Sequence, residues 1–568
     1  MYIATVPNRG SSPAILLREG YREHGKVKNR TLANLSHWPA EKIELLRRVL
    51  RDERLAPVDQ LFEVVSSSHH GHVHAVLTAI DRLDFDRLIA SRSSRERSLV
   101  TAMVAARILE PQSKLATTRW WHGTTLPGNL GVQDATEDDL YEAMDWLLAR
   151  QDRIEGKLAA RHLREGGLVL YDLTSSYFEG TTCPLAALGH NRDGGKGKLQ
   201  VNYGLLANRE GCPVSVSVYE GNTGDPATLL EQVTKVKDAF GIKNLVLVGD
   251  RGMISQKQID QLRDVEGVDW ISALKTGGIR ELLKGGHLQM GLFDERNLFE
   301  LTHPDFPGER LIACRNPELA RLRAHKREDL LAATTKELDK VKGMVERGSL
   351  SGKDQIGVRV GRVINKYKVA KHIALIIEEK RFAYEIRREQ VAAEAALDGI
   401  YVIRTSLPKE RISAEDAVRS YKSLSDVERA FRSLKSIDLL VRPIRHRLED
   451  RVRAHIFLCM LAYYVEWHMI EAWRPLLFAD EDREAKKVRD PVAPAKRSAG
   501  ALGKAASKKI DDDTMAHSFR TLMSELASIV RNTCRRPGAD PSEPTFEVTT
   551  TPSPKQARAL ALLENFRV

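Results

Sequence analysis

The spacing of hydrophobic residues divides this chain into segments of different character. In residues 97–164, and in the run EKIELLRRVLRDE before them, apolar positions recur every three or four residues, which predicts amphipathic helices. Residues 1–60 otherwise alternate short apolar pieces with basic turns. We therefore expect a small N-terminal α+β segment over residues 1–60 and a helical region over residues 61–165.

Strand-like sequence begins after Gly166. The runs LVLYDLTSSYF, LQVNYGLLAN and PVSVSVYEGN are rich in β-branched and aromatic residues, which is typical of buried strands. Helical and strand-like runs then alternate, with ATLLEQVTKVKDAFG and SQKQIDQLRDV as helices and NLVLVGD and VDWISALK as strands. Three strands in succession followed by this alternation predict a mixed α/β sheet over residues 166–275.

The alternation stops over residues 276–410. A charged helix is predicted around Pro317 to Glu346, and three runs look like strands: IGVRVGRV, HIALIIEEKRFAYEIRR and GIYVIRT. We interpret this segment as a β-rich insertion. Helical periodicity returns over residues 411–478, and the Ala-, Lys-, Asp- and Pro-rich residues 479–512 predict a linker before a C-terminal tail, residues 513–568.

Composition places the chain among ordinary globular proteins with a basic excess. Its 568 residues contain 88 Lys and Arg against 77 Asp and Glu, a net charge of +11, and 42% are hydrophobic. These values exclude a disordered chain and a collagen-like fibre, and the positive excess favours a polyanionic partner. Five scattered cysteines without a C-x-x-C pair predict reduced thiols, rather than disulfides or a zinc site.

No segment predicts export or membrane insertion. The N-terminus lacks a basic stretch followed by an apolar core. The longest strongly apolar stretch, His455 to Val465, is too short to span a bilayer. We therefore expect a soluble cytoplasmic protein with no membrane partner.

Two acidic residues stand at unusual positions in the predicted sheet. Asp172 lies inside the apolar strand VLYDLTSSYF, where a carboxylate is costly unless it is paired, protonated or bound to a metal ion. Asp250 ends the strand LVLVGD, and open α/β sheets place functional groups at the carboxyl ends of their strands. The two carboxylates could therefore meet in one site. Each could also be structural, as a helix cap or, for Asp250, as the ion-pair partner of Arg251.

A third acidic residue lies on a helix predicted over residues 414–436. Tyr421, Glu428 and Lys435 are spaced by seven residues, so they form one polar stripe, with Arg432 on the same line. The adjacent apolar face should pack on the sheet, which would let Glu428 point at the two aspartates. The spacing is also satisfied by an ordinary amphipathic helix with an ion pair between Glu428 and Arg432.

These segments resemble a known family. YDLTSSYFEG, VGDRGM and YKSLSDVERAFRSLK are similar to the three catalytic blocks of insertion-sequence DDE transposases, in the branch with a Tyr-x2-Arg-x3-Glu-x6-Lys signature. The likeness runs from about residue 20 to 475 and includes RDGGKGKLQVNYGLL, EGNTGDP and RPIRH. It implies a ribonuclease H-like α/β core in two parts, residues 166–275 and 411–478, interrupted by the β-rich insertion.

The resemblance assigns roles to the acidic residues. Asp172, Asp250 and Glu428 become the catalytic triad and the metal ligands, and Tyr421 and Lys435 become the signature residues beside them. The implied cofactor is a pair of Mg²⁺ ions, for which Mn²⁺ can substitute. Hard cations prefer carboxylate oxygens, and two of them can stabilise both the attacking and the leaving oxygen of an in-line displacement.

The family signature is incomplete at one position. Leu424 stands where the signature has arginine. Arg429 or Arg432 would have to replace that arginine, or the chain does without it. The departure concerns contacts with the DNA end and leaves the three acidic residues intact.

Basic residues are concentrated near the expected site. The stretch from Tyr421 to His455 has nine Lys and Arg against five Asp and Glu. The glycine-rich loop HNRDGGKGK is suited to the approach of a phosphate backbone, unless it is simply a mobile surface turn. The residues expected to bind DNA are Tyr421, Arg432, Lys435, Arg192, Lys196 and Lys198.

The resemblance implies a DNA transposase of the cut-and-paste type. It would hydrolyse a phosphodiester at each end of its own insertion element and transfer the freed 3′-hydroxyl, through a hairpin intermediate or directly. Its partners would be double-stranded DNA, as terminal inverted repeats and target, and a second copy of the chain in a synaptic complex. The helical region 61–165 would serve DNA binding or assembly. The alternatives are a metal-dependent nuclease of the same fold without joining activity and a non-catalytic DNA-binding protein.

Overall fold

The structure is a computed structural model of the chain. It describes residues 1–53, 61–193, 197–288, 293, 297–482, 489–493, 497–510 and 514–566. The chain divides into two compact units. One comprises Met1–Ser68 and Val530–Thr550, and the other comprises His69–Ile529 and Thr551–Val568.

The first unit begins with a three-stranded antiparallel sheet. Its strands are β1 (Tyr2–Val6), β2 (Ala14–Glu23) and β3 (Lys26–Asn34). Helix α1 (Ala40–Leu50) and strand β4 (Glu63–His69) follow. The apolar periodicity of EKIELLRRVLRDE therefore does form a helix.

A run of helices opens the second unit, as the apolar spacing predicted, but the predicted helical region 61–165 begins with strand β4 rather than with a helix. The helices are α2 (Gly71–Arg82), α3 (Phe85–Ile89), α4 (Arg95–Leu109), α5 (Lys114–Trp120), α6 (Leu126–Leu130), α7 (Glu137–Leu148) and α8 (Gln151–His162). Side chains cap several of them. The Arg97 N–H donates to Ser94 Oγ at the start of α4, and Thr136 and Asp139 form a capping box at the start of α7.

The central sheet has the topology that the resemblance implied. Its first elements are β5 (Leu168–Tyr177), β6 (Gln200–Ala207), β7 (Pro213–Glu220), α9 (Asp225–Thr234), β8 (Leu245–Val248), α10 (Gln256–Arg263) and β9 (Val268–Ala273). β5, β6 and β7 are an antiparallel meander, and β8 and β9 are parallel to β5 in the spatial order β7-β6-β5-β8-β9. This is the ribonuclease H-like arrangement, so the expected fold is confirmed.

The segment expected to be a β-rich insertion contains more helix than strand, which corrects the sequence prediction. Its elements are α11 (Thr276–Lys284), β10 (Leu298–Leu301), β11 (Arg310–Arg315), α12 (Pro317–Glu346), α13 (Lys353–Tyr367), β12 (Ile373–Glu378), β13 (Arg381–Ile386), α14 (Arg388–Ala395) and β14 (Ile400–Thr405). β10, β11 and β14 extend the central sheet beyond β9, whereas β12 and β13 form a separate hairpin.

The prediction of a strand at IGVRVGRV was wrong, because this run lies within α13. Its apolar residues fit a two-residue and a helical spacing equally well. Ile356, Val360 and Ile364, four residues apart, are buried in one cluster with Leu338 and Val341 of α12. Packing between the two helices therefore selects a helix where the local sequence pattern fits a helix or a strand.

The C-terminal part of the chain is folded into both units. Its elements are α15 (Ala414–Lys422), α16 (Leu424–Arg432), α17 (Glu449–Ala472), α18 (Ala499–Ser507), α19 (Phe519–Leu526), β15 (Val530–Arg535), β16 (Phe546–Thr549) and α20 (Pro554–Asn565). α18 lies in the predicted linker, and β15 and β16 of the predicted tail join β4 in the order β16-β15-β4. α17 is buried and packs on α4, α7 and β7, as its apolar composition predicted.

All five cysteines are buried and unpaired. Cys212 lies near His162 and His468, with their possible ligand atoms within 4.8 Å of one another, and burial raises the pKa of its thiol well above the ordinary value. In the ranges given above, no helix has the length and apolar character to cross a membrane.

Candidate active site

The register of the central sheet brings the first two acidic residues together. β5 and β8 are parallel neighbours, with Leu170 opposite Val248. Two residues further along the chain stand Asp172, within β5, and Asp250, just beyond the end of β8. Neighbouring strands lie about 4.8 Å apart, and the charge of Asp250 acts on the Asp172 carboxyl. The two carboxylates are therefore neighbours.

The electrostatics of Asp172 agrees with this placement. Burial raises the pKa of its carboxyl to about 7, and the negative charge of Asp250 adds to that effect. The Leu173 N–H, which donates to Asp172 Oδ1 at 2.8 Å, opposes it. A cation bound between the two aspartates would favour the ionised form.

Asp250 also shapes the turn that follows β8. Its Oδ1 accepts the N–H groups of Gly252 at 2.9 Å and Met253 at 2.7 Å. A Cβ at position 252 would lie 3.2 Å from that oxygen, which accounts for glycine there. Asp250 forms no ion pair with Arg251, and no hydrogen bond within the described ranges uses Oδ2 of Asp250 or of Asp172. Each carboxylate thus keeps one oxygen for a ligand.

Glu428 lies on a helix that packs against β5. Val427 and Phe431 of α16 are buried, whereas Glu428 is exposed. The Phe431 ring meets Tyr203 of β6 edge-on, with ring centroids 5.9 Å apart. The apolar face therefore packs on the sheet, as its periodicity predicted.

Tyr421 links Glu428 electrostatically with the two aspartates. Burial raises the pKa of its phenol to about 12, and the charges of Asp250, Glu428 and Asp172 contribute in the same direction, while Arg251 opposes them. All three acidic residues therefore act on one phenol. The phenol stays protonated at neutral pH and can donate a hydrogen bond.

The single helix expected over residues 414–436 is interrupted twice. α15 and α16 meet at Ser423, whose hydroxyl donates to the Ser420 carbonyl at 2.6 Å. A wider π-helical turn then covers Ser433–Ile437. The expected polar stripe is accordingly incomplete, because Tyr421 faces the acidic residues whereas Lys435 is buried.

Lys435 is held by a residue that the sequence reasoning missed. Its Nζ lies 3.0 Å from Asp193 Oδ1, and Arg442 Nη1 lies 2.6 Å from the same oxygen. Asp193 Oδ2 accepts the Tyr177 N–H at 3.1 Å, at the end of β5. The sequence does not indicate this ion pair, because Asp193 lies in a basic loop and Lys435 is 242 residues away.

The other basic residues expected to bind DNA are differently placed. Arg192 forms an ion pair with a carboxylate at the start of α9. Lys198 lies over the Tyr177 ring, 4.5 Å from its centroid. Arg432 is exposed at the end of α16, and Lys196 lies outside the described residues.

The residue at the signature arginine position belongs to the core. Leu424 is buried, and its apolar side chain cannot make the polar contacts of an arginine. Arg429 pairs with Asp426 at 3.1 Å on the same helix. Arg432 has no carboxylate within 4.0 Å in the part of the chain that the structure describes.

Comparison with known proteins identifies the family to which this chain belongs. A family model described as the transposase DDE domain matches residues 166–465, and a model of the N-terminal domain of IS1634 family transposases matches residues 3–57. The chain belongs to the DDE transposases. This transposase therefore acts on DNA, and the three acidic residues lie within the matched domain.

Two solved structures are similar to this transposase. One is a piggyBac transposase synaptic complex with hairpin DNA, at 9% identity, covering 78% of this chain and 85% of that chain, with a TM-score of 0.33. The other is a Mos1 transposase paired-end complex with the left transposon end, at 11% identity, covering 35% and 66%, with a TM-score of 0.14. No curated protein matches the transposase.

DDE transposases use divalent metal ions, and the donors present here suit them. Asp172 and Asp250 offer hard oxygen atoms side by side, of the kind that Mg²⁺ and Mn²⁺ prefer. Burial, with a smaller contribution from the charge of Asp250, disfavours the ionised form of Asp172. A divalent cation bound there would favour that ionised form.

Proposed function

We propose that this transposase uses Asp172, Asp250 and Glu428 to cut DNA at the ends of its own insertion element and to join those ends to target DNA. The observation that supports this most strongly is the position of Asp172 and Asp250, each two residues beyond the paired residues Leu170 and Val248 of two parallel strands. The action of all three carboxylates on the Tyr421 phenol supports Glu428 as the third member.

Asp172, Asp250 and Glu428 would hold two Mg²⁺ ions, with Mn²⁺ as a substitute. When bound, such ions stabilise the attacking and leaving oxygens of an in-line displacement and lower the pKa of bound water. Asp172 must be ionised to act as a ligand, and its pKa of about 7 in the metal-free protein couples metal binding to loss of a proton.

The reaction proceeds in two steps, hydrolysis of a phosphodiester and transfer of the new 3′-end. In the first, a water oxygen bonds to phosphorus and loses a proton, the bond from phosphorus to the 3′-oxygen breaks, and that oxygen gains a proton. In the second, the new 3′-hydroxyl loses its proton and bonds to a phosphorus atom of the receiving strand, and the 3′-oxygen displaced there gains a proton. One phosphodiester replaces another, so the joining step needs no added energy source. The protonated Tyr421 would donate a hydrogen bond to a phosphate oxygen.

The proposed partners follow from this reaction. Two element ends must be held together, so we expect a homodimer in a synaptic complex with the terminal inverted repeats, with residues 61–165 contributing to DNA binding or assembly. The exposed Arg432 would contact a phosphate backbone and take over from the arginine missing at Leu424. Since the substrate is the DNA that carries the gene, the site of action would be the cytoplasm, on the nucleoid.

The experiment that tests the proposed function starts from the DNA that flanks the coding region. Inverted repeats bounded by short direct repeats define the ends. Duplexes carrying such an end are incubated with the protein and a plasmid target, in Mg²⁺ or in EDTA. We expect cleaved and joined products in Mg²⁺ alone. Cleavage without joining would indicate a nuclease, and binding without cleavage in either Mg²⁺ or Mn²⁺ would contradict catalysis.

A further inference from the structure

A second feature adjoins the candidate active site. A cleft of about 540 Å³ is bounded by the end of β9, by α11, α12 and α14, and by the turn after α13. Arg251 and Tyr421 line it. Arg251 follows Asp250 in the chain, and the Tyr421 phenol is in electrostatic reach of all three acidic residues. The cleft therefore opens beside the carboxylates.

The lining of this cleft is strongly basic. It includes seven Lys and Arg residues against two carboxylates. Asp398 pairs with Arg327, and Glu394 pairs with Lys371 at 2.7 Å and with His372 at 2.6 Å. The remaining cations have no carboxylate within 4.0 Å over the described ranges and are exposed: Arg251, Arg280, Arg323, Lys326 and Lys368. Both carboxylates are thus paired with cations of the lining, and the remaining positive charge is in excess at the cleft.

The uncharged part of the lining has no group specialised for reading bases. It consists of apolar side chains such as Leu274, Ile279 and Leu397, with hydroxyls from Thr276 and the tyrosines, and it contains no Asn or Gln among the described residues. Amide side chains are the usual readers of adenine, whereas Lys and Arg on a phosphate backbone carry no sequence information. The excess of Lys and Arg, with no amide side chain among the described lining residues, suits contact with a DNA backbone.

We propose that this cleft binds the sugar–phosphate backbone of the target DNA and presents it to the catalytic carboxylates during joining. The assignment rests on the proposed function. It favours the target over the element ends, because ends have to be selected by sequence, whereas a target is entered at many sequences. A strand that follows the cations of α12 would pass Tyr421 and Arg251 at the reaction centre.

The first test measures DNA binding without any reaction. The double variant Arg323→Gln/Lys326→Gln removes two exposed cations of α12, and Arg321→Gln/Lys336→Gln removes two exposed cations of the same helix that do not line the cleft. The probe is a random-sequence duplex in EDTA, at roughly 50 to 200 mM salt. We expect the cleft variant to bind about tenfold more weakly than the control, with a salt slope reduced by about 0.9 for each phosphate that is no longer neutralised.

The second test measures joining with a pre-cleaved element end and a plasmid target. We expect the cleft variant to lower the ratio of joined product to bound end at least about tenfold, while the control variant matches the wild type. Equal affinity and equal salt slope in both variants would overturn the proposal. Equal loss of binding to the element end would also overturn it, because the cleft would then hold the end.

A different experimental result would show that the proposed function is wrong while the cleft still binds DNA. A wild-type protein that neither cuts nor joins, but whose random-duplex binding still depends on Arg323 and Lys326, would contradict catalysis and the target role while leaving the cleft as a DNA site. Thermal unfolding of both variants checks that the exchanges of exposed side chains leave the fold unchanged.

Discussion

The Lys435 ammonium lies 3.0 Å from the carboxylate of Asp193, which ties the end of the glutamate-bearing helix to the basic loop between β5 and β6. Arg442 binds the same oxygen. Because Asp193 also accepts the Tyr177 N–H at the end of β5, one carboxylate joins three segments around the site. Lys435 therefore positions the loop in this structure, and its contact with DNA stays a prediction.

Removal of Asp193 should destabilise the protein. Asp193→Ala would leave the buried Lys435 and the half-buried Arg442 without their shared partner, and breaking a buried ion pair costs about 3 kcal/mol or more. Lys435→Met is the matched comparison and should cost less, because Arg442 still binds Asp193. Urea denaturation measures both, and a smaller loss for Asp193→Ala than for Lys435→Met would contradict the shared role.

The metal-free protein should be stabilised by Asp172→Asn at alkaline pH. The folded-state pKa of Asp172 is about 7, above the ordinary 3.8, so the unfolded chain releases this proton first as pH rises. The group therefore lowers stability between about pH 4 and 7, and the deficit persists above pH 7. In EDTA, the variant should gain in melting temperature at pH 8 and gain little at pH 4. An equal change at both values would show that the pKa of Asp172 is not raised.

Glu155 provides a test of the packing behind the sheet. Its buried carboxylate accepts Ser215 Oγ at 2.9 Å and the Val216 N–H at 3.0 Å, and it pairs with Lys235 at 2.5 Å. Glu155→Ala should cost about 3 to 5 kcal/mol in urea denaturation, because Lys235 loses its partner. The exposed Glu142→Ala should stay within about 0.5 kcal/mol. Similar values for the two would contradict the network.

Tyr421 should contribute to catalysis as a hydrogen-bond donor. Its phenol keeps its proton at neutral pH, and loss of a donor aimed at a developing charge lowers the rate about a hundredfold. We expect this loss of cleavage rate in Tyr421→Phe with unchanged melting temperature. Tyr384→Phe is the control, because that phenol lies on β13 and donates to Asp339, which is not one of the three acidic residues of the site. Wild-type cleavage by Tyr421→Phe would remove Tyr421 from the reaction.

The core elements could be predicted from sequence because their local signals agree. Apolar runs bounded by turns mark β5 to β9, and two charges stand out beside them: Asp172 within β5 and Asp250 just after β8. The order of strands and helices then restricts the topology. The fold and the pairing of the two aspartates follow from these features together with the family resemblance.

The remaining features depend on contacts between distant segments. The apolar spacing of the α13 segment fits a helix or a strand equally well, and packing of Ile356 against α12 selects the helix. The burial of Lys435 depends on its ion pair with Asp193, which is distant in the sequence. The cations of the cleft come from residues as far apart as Arg251 and Lys371, so only the fold brings them together. Local spacing could not predict these contacts.

The central claim is that three carboxylates act as one catalytic site. Its most direct test is the rate of end cleavage and joining in Mg²⁺ for Asp172→Asn, Asp250→Asn and Glu428→Gln, with Glu415→Gln on the exposed side of α15 as the control. We predict that each of the three loses both reactions yet still binds the element end, whereas the control keeps full activity. Wild-type cleavage by any of the three variants would contradict the claim.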